Sequence, residues 1–441
     1  MRSFLLAAVL LLTAALADST TSADSTASVI TLTGSQTTLD QDTRSFTYPS
    51  VTTTITLTSS TASASNGTGL STSTSDSVTV LVGGHGTTSL PPNATATTAS
   101  NSTSTTSSTP LPSNTQPCNG YVEFCDRSYS NITYVTAHNS PFDVKGNLAS
   151  NQLYPVTTQL NDGIRMLQFQ VHYQNGTMYL CHTDCSLINV GTLQSYLTTV
   201  AKWLDENPYE VITILMGNYD FVNVNNFTAP IVNSGLSKYA YEPPKIPMGL
   251  DDWPILSDMI LMGNRAVIFM DYNANQTEVP YILDEFTQMW ETPYSPTDPD
   301  FPCTEQRPPG ISDEEISTIM YMANHNLNVD VSIEGFSILI PNTAVINSTN
   351  AVSGYRSLGL TAENCTATWG RPPNFLLVDY YNYGNFPGSV FEVAATINNV
   401  TYNGHCCGSN TSGALSLQSQ FLDKACWMFI LATASIVFNL V

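Results

Sequence analysis

The chain has 441 residues, and its 13 Lys and Arg against 35 Asp and Glu give a formal net charge of −22 at pH 7. This acidic balance argues against a nucleic-acid partner, because such partners bind basic patches. Beyond a compositionally biased N-terminal region, about 300 residues remain, which is enough for one large domain with a substantial core.

The N-terminal region contains two successive segments. Residues 1–17 carry Arg2, an apolar run and the small-residue site Ala15-Leu16-Ala17. This pattern predicts a secretory signal peptide, since the apolar run is too short to span a bilayer. Residues 18–117 contain 51 Ser or Thr among 100 residues, a composition that cannot bury enough apolar surface to order itself. We predict a disordered, O-glycosylated stalk; alternating patches such as 77–82 leave a small β module as the alternative.

The C-terminal segment, residues 409–441, has the three parts of a glycosylphosphatidylinositol (GPI) attachment signal. Small residues at 412–414 precede a polar spacer, 415–424, and an apolar tail, 425–441. Ser412 or Asn410 is the expected attachment residue. A single transmembrane helix is the alternative, although no basic cluster follows the tail. The pattern predicts a protein held at the cell surface, on the plasma membrane or cell wall, by a lipid anchor.

Cysteine usage agrees with an oxidising compartment. The chain has nine Cys, and removal of the tail with Cys426 leaves an even number, as disulfide pairing requires. Sequence proximity favours Cys118 with Cys125 and Cys181 with Cys185, while the pairing of the others stays open. A structural zinc site is the rival interpretation, but no histidine or acidic residue recurs at ligand spacing. Asn-x-Ser/Thr sites along the chain predict a glycoprotein.

Residues 118–408 alternate between strand and helix patterns, which predicts an α/β domain with a parallel sheet. The segments with strand patterns are 132–137, 163–171, 210–216, 265–271, 335–340 and 374–379. The segments with helix patterns are 148–160, 193–206, 258–262, 279–290, 311–324 and 389–397. A Pro-rich insertion, 293–309, interrupts the alternation.

Two histidines stand out against this pattern. His138 follows the first strand, and His182 lies on the return strand of a hairpin whose turn is Asn175-Gly176. An imidazole titrates near neutral pH and can both accept and release a proton within one reaction cycle. We therefore interpret His138 and His182 as an acid-base pair.

Five features together resemble the X-domain of phosphatidylinositol-specific phospholipases C, and most closely the secreted, fungal-type phospholipase-C-like phosphodiesterases. They are TAHNSPF, DGIRMLQFQV, WLDENPYEVITI and NFLLVDYYNYGN, together with His182. The resemblance implies a distorted TIM (β/α) barrel. It also implies that His138 accepts the proton of the inositol 2-hydroxyl, that His182 protonates the departing diacylglycerol oxygen, and that Asp379 orients His138.

The sequence departs from that family on the second strand, where metal-dependent relatives carry Glu-x-Asp and metal-independent bacterial relatives carry Asp-x-Arg. Gln168 and Gln170 stand at these positions. Neutral amides are weak calcium ligands, so we expect no metal and no other cofactor. Lys145 could reach inward to supply charge, whereas Arg165 is expected on the opposite face.

Further substrate contacts are expected where barrel strands end. The candidates are Asn139, Gln168, Gln170, Asn218, Asp271 and Tyr381. Asp271 and Asp379 could instead cap strand ends. His172 and His405 are expected to be ordinary surface histidines.

Two functions remain open. One is a metal-independent phosphoric diester hydrolase acting on inositol phospholipids or related glycolipids. The other is a catalytically weakened barrel that binds lipid or glycan at the cell surface.

Overall fold

The computed structural model describes residues 81–84, 113–333, 336–404 and 406–408. The predicted signal peptide, most of the predicted stalk, His405, and the GPI signal with Asn410 and Ser412 lie outside the described residues. Within the described ranges, no helix has both the length and the apolar character needed to cross a membrane.

The strands of the described residues are numbered in chain order. They are β1 (Tyr134–Ala137), β2 (Met166–Gln174), β3 (Thr177–His182), β4 (Ile188–Thr192), β5 (Ile212–Asn218), β6 (Ala266–Met270), β7 (Ile282–Asp284), β8 (Met289–Glu291), β9 (Met320–Asn324), β10 (Asn328–Ile333), β11 (Phe336–Pro341) and β12 (Phe375–Val378).

The α-helices are numbered in the same way. They are α1 (Val156–Asp162), α2 (Leu193–Glu206), α3 (Asn225–Asn233), α4 (Leu256–Met262), α5 (Glu285–Gln288), α6 (Asp313–Thr318), α7 (Ile346–Thr349), α8 (Leu358–Trp369) and α9 (Ser389–Ile397).

Eight strands form one curled parallel sheet in the order β7-β6-β5-β2-β1-β12-β9-β8. The C-terminal part of β2 pairs antiparallel with β3, and β3 in turn pairs antiparallel with β4. β7 and β8 are the two ends of this order, and within the described residues they are not hydrogen-bonded to each other. The protein is therefore an α/β distorted barrel with one open seam, and the predicted fold class is confirmed.

Alternation along the strands separates two apolar cores. On β2, Leu167, Phe169 and Val171 pack in the core shared with the helices. Met166 points the other way, into the core inside the barrel with Phe269 and Phe375 from the strands around it. Each fully buried side chain of this size contributes about 1.5–3 kcal/mol relative to exposure. After Met166 the inner face of β2 becomes polar, with Gln168 and Gln170 at the next two inward positions.

Two predicted helices are wrong. The segment 279–290 is strand β7, the four-residue helix α5 and strand β8; the segment 311–324 is helix α6 followed by strand β9. Short, fully buried strands have apolar residues on both faces, so their sequences do not alternate and are easily mistaken for helix. The predicted helices at 193–206 and 389–397 are confirmed as α2 and α9.

Four disulfides pair the eight described cysteines. Cys118–Cys125 and Cys181–Cys185 confirm the pairs favoured by proximity; the others are Cys303–Cys365 and Cys406–Cys407. Because Cys181 and Cys185 flank His182 in the chain, their disulfide constrains the loop that follows β3.

A short part of the predicted stalk contacts the barrel. Leu81 packs against the inner core, and the backbone N–H of Gly84 donates to Asp258 Oδ1 at 2.7 Å. Residues 81–84 of the predicted stalk are thus in contact with the barrel.

Candidate functional site

Adjacent strands bring His138 and Asp379 together. The register of β1 and β12 pairs Ala137 with Val378, so the residues that follow both strands meet at the same edge of the sheet. His138 Nδ1 lies 2.7 Å from Asp379 Oδ1. Gln152 Nε2 donates to the carbonyl oxygens of His138 and Val378 at 2.8 and 3.1 Å, which holds the two strand ends in place.

Three asparagines surround this pair. Asn139 Nδ2 lies 3.1 Å from His138 Nε2, and Asn326 Nδ2 lies 3.3 Å from His138 Nδ1. Asn151 Nδ2 donates to Asp379 Oδ1 at 2.8 Å. Asn139 was predicted from sequence, whereas Asn151 and Asn326 were missed. The position of Asn326 just after β9 is a strand-end signal that could have found it.

The oxygens of these groups are ready to accept hydrogen bonds. Within the described residues, the side-chain oxygens Asn139 Oδ1, Asn151 Oδ1, Asn326 Oδ1 and Asp379 Oδ2 are buried and have no hydrogen-bond partner. A buried acceptor without a partner costs roughly 1–3 kcal/mol. The cluster is therefore suited to a ligand that carries several hydroxyl donors.

His182 ends β3 and lies in the same electrostatic environment. Its ring meets Phe142 edge-on, with centroids 5.2 Å apart, and its Nδ1 lies 3.2 Å from Thr183 Oγ1. Burial is the main cause that lowers the pKa of His182 to about 4; the charge of His138 acts in the same direction, and Asp379 opposes both effects. His138 and His182 are therefore close enough to interact electrostatically.

Gln168 and Gln170 lie on the inner face of β2, and Gln168 contacts this cluster. Gln168 Oε1 accepts a hydrogen bond from the backbone N–H of Asn139 at 2.9 Å. That bond fixes Asn139, whose φ of 48° is left-handed, a conformation that Asn tolerates. Gln170 lies across Gly217, where a Cβ would come within 2.1 Å of Gln170 Oε1. Gly217 thus makes room for the Gln170 side chain.

The donors at this place do not fit a calcium ion. Calcium requires six to eight oxygens, usually with several carboxylates, whereas Asp379 is the carboxylate of this cluster and already bonds His138 and Asn151. Among the described residues, one group of three His, Cys, Asp or Glu donors lies close enough to hold a metal: Asp162, Cys406 and Cys407. Its two cysteines are joined in a disulfide.

Comparison with known proteins identifies the family. The family model PI-PLC X 1 matches residues 124–398. The chain belongs to the PI-PLC X family. A PI-PLC X domain-containing protein 1 of Arthroderma benhamiae is 41% identical over 271 residues, 61% of this chain and 86% of that protein. An uncharacterized secreted protein of the same organism is 61% identical over 331 residues, 75% of each chain.

A solved structure is also similar. The phosphatidylinositol-specific phospholipase C of Listeria monocytogenes aligns with 63% of this chain and 96% of its own, at 13% identity and a TM-score of 0.41.

Two other predicted contact residues of this PI-PLC X protein have side chains already engaged elsewhere. Asn218 Nδ2 donates to the carbonyl oxygens of Val222 and Tyr272, at 2.8 and 3.0 Å. Tyr381 is fully buried, and its hydroxyl bonds Asp162 Oδ2 at 2.6 Å. These contacts hold the loops after β5 and β12, and they give no support to a role of either side chain in binding substrate.

The predicted cations of the PI-PLC X protein also lie elsewhere. Lys145 is exposed in the loop after β1, which gives no support to an inward contact. Arg165 pairs with Glu210 at 2.7 Å, in agreement with its expected outward direction.

Asp271 belongs to a cluster of carboxylates at the open seam of the barrel. Arg307, which sequence analysis missed inside the Pro-rich insertion, lies 3.6 Å from Asp271 and 3.2 Å from Glu291. Burial raises the pKa of Asp271 to about 6 against the opposing charge of Arg307. Burial, together with Glu291, also raises the pKa of Glu285. Arg307 therefore spans the seam, and its charge is committed to structural carboxylates.

Proposed function

We propose that the protein is a phosphodiesterase that cleaves an inositol phospholipid, or a related glycolipid, by general acid-base catalysis without a metal. The membership of the PI-PLC X family supports phosphodiester chemistry. The observation that carries the proposal is the buried His138–Asp379 pair with His182 in the same electrostatic environment.

Each group has one role in the proposed reaction. His138 Nε2 accepts the proton of the inositol 2-hydroxyl, whose oxygen then bonds phosphorus, and Asp379 stabilises the imidazolium that forms. The bond from phosphorus to the diacylglycerol oxygen breaks, and His182 donates a proton to that oxygen. The products are a cyclic inositol phosphate and diacylglycerol, and His138 and His182 exchange protonation states.

The proposed reaction also requires that His182 be protonated when the substrate is bound. A general acid must carry a proton, but the pKa of His182 is about 4 in the absence of ligand. An anionic phosphodiester beside the ring favours the imidazolium and raises that pKa. We therefore expect activity to be highest at mildly acidic pH and to fall as His182 loses its proton.

Apolar side chains around the strand ends support a lipid substrate. Large apolar residues are exposed in the loops after β1, β3 and β12, and they are Val144, Leu148, Leu187, Tyr383 and Phe386. Exposed apolar side chains grouped on one face commonly mark an interaction surface. Here they lie in the loops that follow His138, His182 and Asp379.

The proposed site of action is the outer cell surface. The relative named a secreted protein, the signal-peptide pattern and the disulfides support the secretory pathway. The C-terminal pattern adds the proposed GPI anchor.

The test is release of cyclic inositol phosphate from phosphatidylinositol vesicles by the purified protein in EDTA, between pH 4 and pH 8. We expect activity in the wild type and its loss in His138→Ala and His182→Asn, with thermal unfolding unchanged in both variants. Wild-type protein that stays inactive across inositol phospholipids and glycolipids would rule out the hydrolase.

A binding function is the second candidate. It is favoured by the neutral Gln168 and Gln170 and by the low pKa of His182, which together leave little positive charge for a phosphorane. In that case inactive wild-type protein should still bind phosphatidylinositol vesicles or a glycan, and the His138→Ala variant should bind equally well.

A further inference from the structure

A third histidine lies on the polar inner face of β2. His172 follows Gln168 and Gln170 at alternate positions, so the three side chains share one face of the strand. Phe169 and Val171 point the opposite way, into the core under the helices. His172 is 5% exposed, so the sequence-based prediction of a surface histidine is wrong.

The contacts of His172 hold its ring but leave one nitrogen free. The ring lies against Tyr219, with centroids 4.2 Å apart, and Nδ1 is 3.9 Å from Asp220 Oδ2. The same carboxylate oxygen accepts the backbone N–H of Tyr173 at 2.6 Å, which fixes its position. Within the part of the chain that the structure describes, His172 Nε2 is buried without a hydrogen-bond partner.

The titratable neighbours of His172 lie in the loop after β5, at the end of β3 and in the loop after β3. Burial lowers its pKa, while Asp220 after β5 and Asp184 after β3 oppose that effect. His182 at the end of β3 is close enough for the charge of His172 to lower its pKa. Burial thus favours the neutral form of His172 in the empty site, and the two carboxylates would stabilise its imidazolium once an anion offsets the cost of burial.

We propose that His172 contacts the phosphate of the substrate, donating a hydrogen bond from Nε2 to a non-bridging oxygen of the phosphodiester. The proposal rests on the proposed function and adds a group that it lacks. When the anionic phosphodiester binds, His172 takes up a proton from solvent, with Nδ1–H facing Asp220 and Nε2–H facing the phosphate. Its charge then stabilises the phosphorane, a role that the neutral Gln168 and Gln170 cannot fill.

The first test does not depend on turnover. Long-range ¹⁵N–¹H spectra of the full protein at pH 6 are recorded while inorganic phosphate is added, and the His172 signals are assigned by their absence in His172→Gln. Phosphate should move the His172 signals towards those of an imidazolium in the wild type and equally in His138→Ala. The proposal would be overturned if the His172 signals did not move at the highest phosphate concentration at which the protein stays soluble.

The second test is kinetic. We expect His172→Gln to lower kcat for cyclic inositol phosphate release by about 10²–10³-fold, with unchanged thermal unfolding. Tyr173→Phe, next in the chain and on the opposite face of β2, should match the wild type. A His172→Gln variant with wild-type kcat would overturn the inference while leaving the hydrolase intact. Inactive wild-type protein would instead refute the hydrolase, and the phosphate titration would then decide whether His172 binds an anion.

Discussion

In the proposed mechanism, Asp379 determines which nitrogen of His138 acts as the base. Its Oδ1 lies 2.7 Å from His138 Nδ1, so the carboxylate keeps the proton on Nδ1 and leaves Nε2 as the acceptor. The substrate hydroxyl would take the place of Asn139 Nδ2, which lies 3.1 Å from Nε2. We expect Asp379→Asn to lower cyclic inositol phosphate release by about 10²–10⁴-fold, measured as kcat at the optimal pH.

The control for this change is Asp205→Asn. Asp205 lies near the end of α2, exposed and paired with Lys238, and its loss should leave kcat unchanged. If Asp379→Asn were as active as this control, Asp379 would be a strand cap and nothing more.

Gly217 allows a direct test of Gln170. A Cβ at Gly217 would overlap the amide of Gln170, with its Oε1 at 2.1 Å, but that amide is the end of a flexible side chain and can move away. We expect Gly217→Ala to raise KM for phosphatidylinositol while the free energy of unfolding changes little.

Gly359→Ala is the matched control for stability. There a Cβ would lie 1.8 Å from the backbone oxygen of Val352, which cannot move independently of the chain, and overpacking of this kind typically costs about 1–3 kcal/mol. If Gly217→Ala were destabilised as much and kept its KM, Gln170 would be a packing residue rather than a substrate contact.

The sequence was informative about residues at strand ends and uninformative about residues that the fold brings to them. His138 follows a strand pattern directly, and Asp379 ends another, so both could be predicted although they are 241 positions apart. Asn326 reaches His138 from 188 positions away, and Asn is common in ordinary loops. Arg307 was missed for the same reason, since a Pro-rich insertion gives no sign of the carboxylates it will meet.

At the scale of elements, helix α5 explains why the segment 279–290 was misread. Asp284 caps this helix by accepting the backbone N–H of Thr287 at 2.9 Å. The helix ends after four residues because Met289 is already extended, with φ −154°. The flanking strands β7 and β8 have three residues each and are buried throughout, so neither shows the alternation that identifies a strand.

The N-cap Asp284 should make stability depend on pH. Burial raises its pKa to about 7 against the opposing hydrogen bond from Thr287. Since the folded state binds this proton more tightly than the unfolded state, the stabilising contribution is complete below about pH 4 and is lost as pH rises through about 7. Asn caps helices as well as Asp does. In Asp284→Asn the free energy of unfolding should exceed that of wild type at pH 8, by up to about 4 kcal/mol.

Urea unfolding of both proteins at pH 4 and pH 8 measures this effect. The two should be nearly equal at pH 4. A difference of the same size at both pH values would mean that the substitution alters packing and not the burial of a charge.

At the scale of the whole molecule, the open seam is the feature that alternating β and α patterns cannot reveal. Those patterns predicted a parallel sheet correctly. Whether its two edge strands pair, however, depends on the combined geometry of all eight strands. Across this seam Arg307 joins Asp271, just after β6, to Glu291 on β8. The insertion that carries Arg307 is tied to α8 by the Cys303–Cys365 disulfide, whose cysteines are 62 positions apart.

Replacing Arg307 should therefore destabilise the barrel in a pH-dependent way. Arg307→Met keeps most of the packing against Phe286 and Tyr294 but leaves the carboxylates unpaired, and such losses typically cost about 3–5 kcal/mol. Arg307 opposes the rise in the pKa of Asp271, which is about 6 in its presence. The destabilisation should thus be largest above pH 6, where Asp271 is charged, and should shrink as pH falls and Asp271 takes up a proton.

Arg371→Met separates charge from packing in this experiment. Arg371 stacks over Tyr321 and donates to the carbonyl oxygens of Ile316 and Ile319. None of these groups titrates between pH 5 and pH 8, because burial raises the pKa of Tyr321 further above that range. Its loss should lower the free energy of unfolding by a similar amount at pH 5 and pH 8, as measured in urea. If Arg307→Met showed the same flat dependence, Arg307 would hold the seam by packing, and the carboxylates around it would be protonated throughout this range.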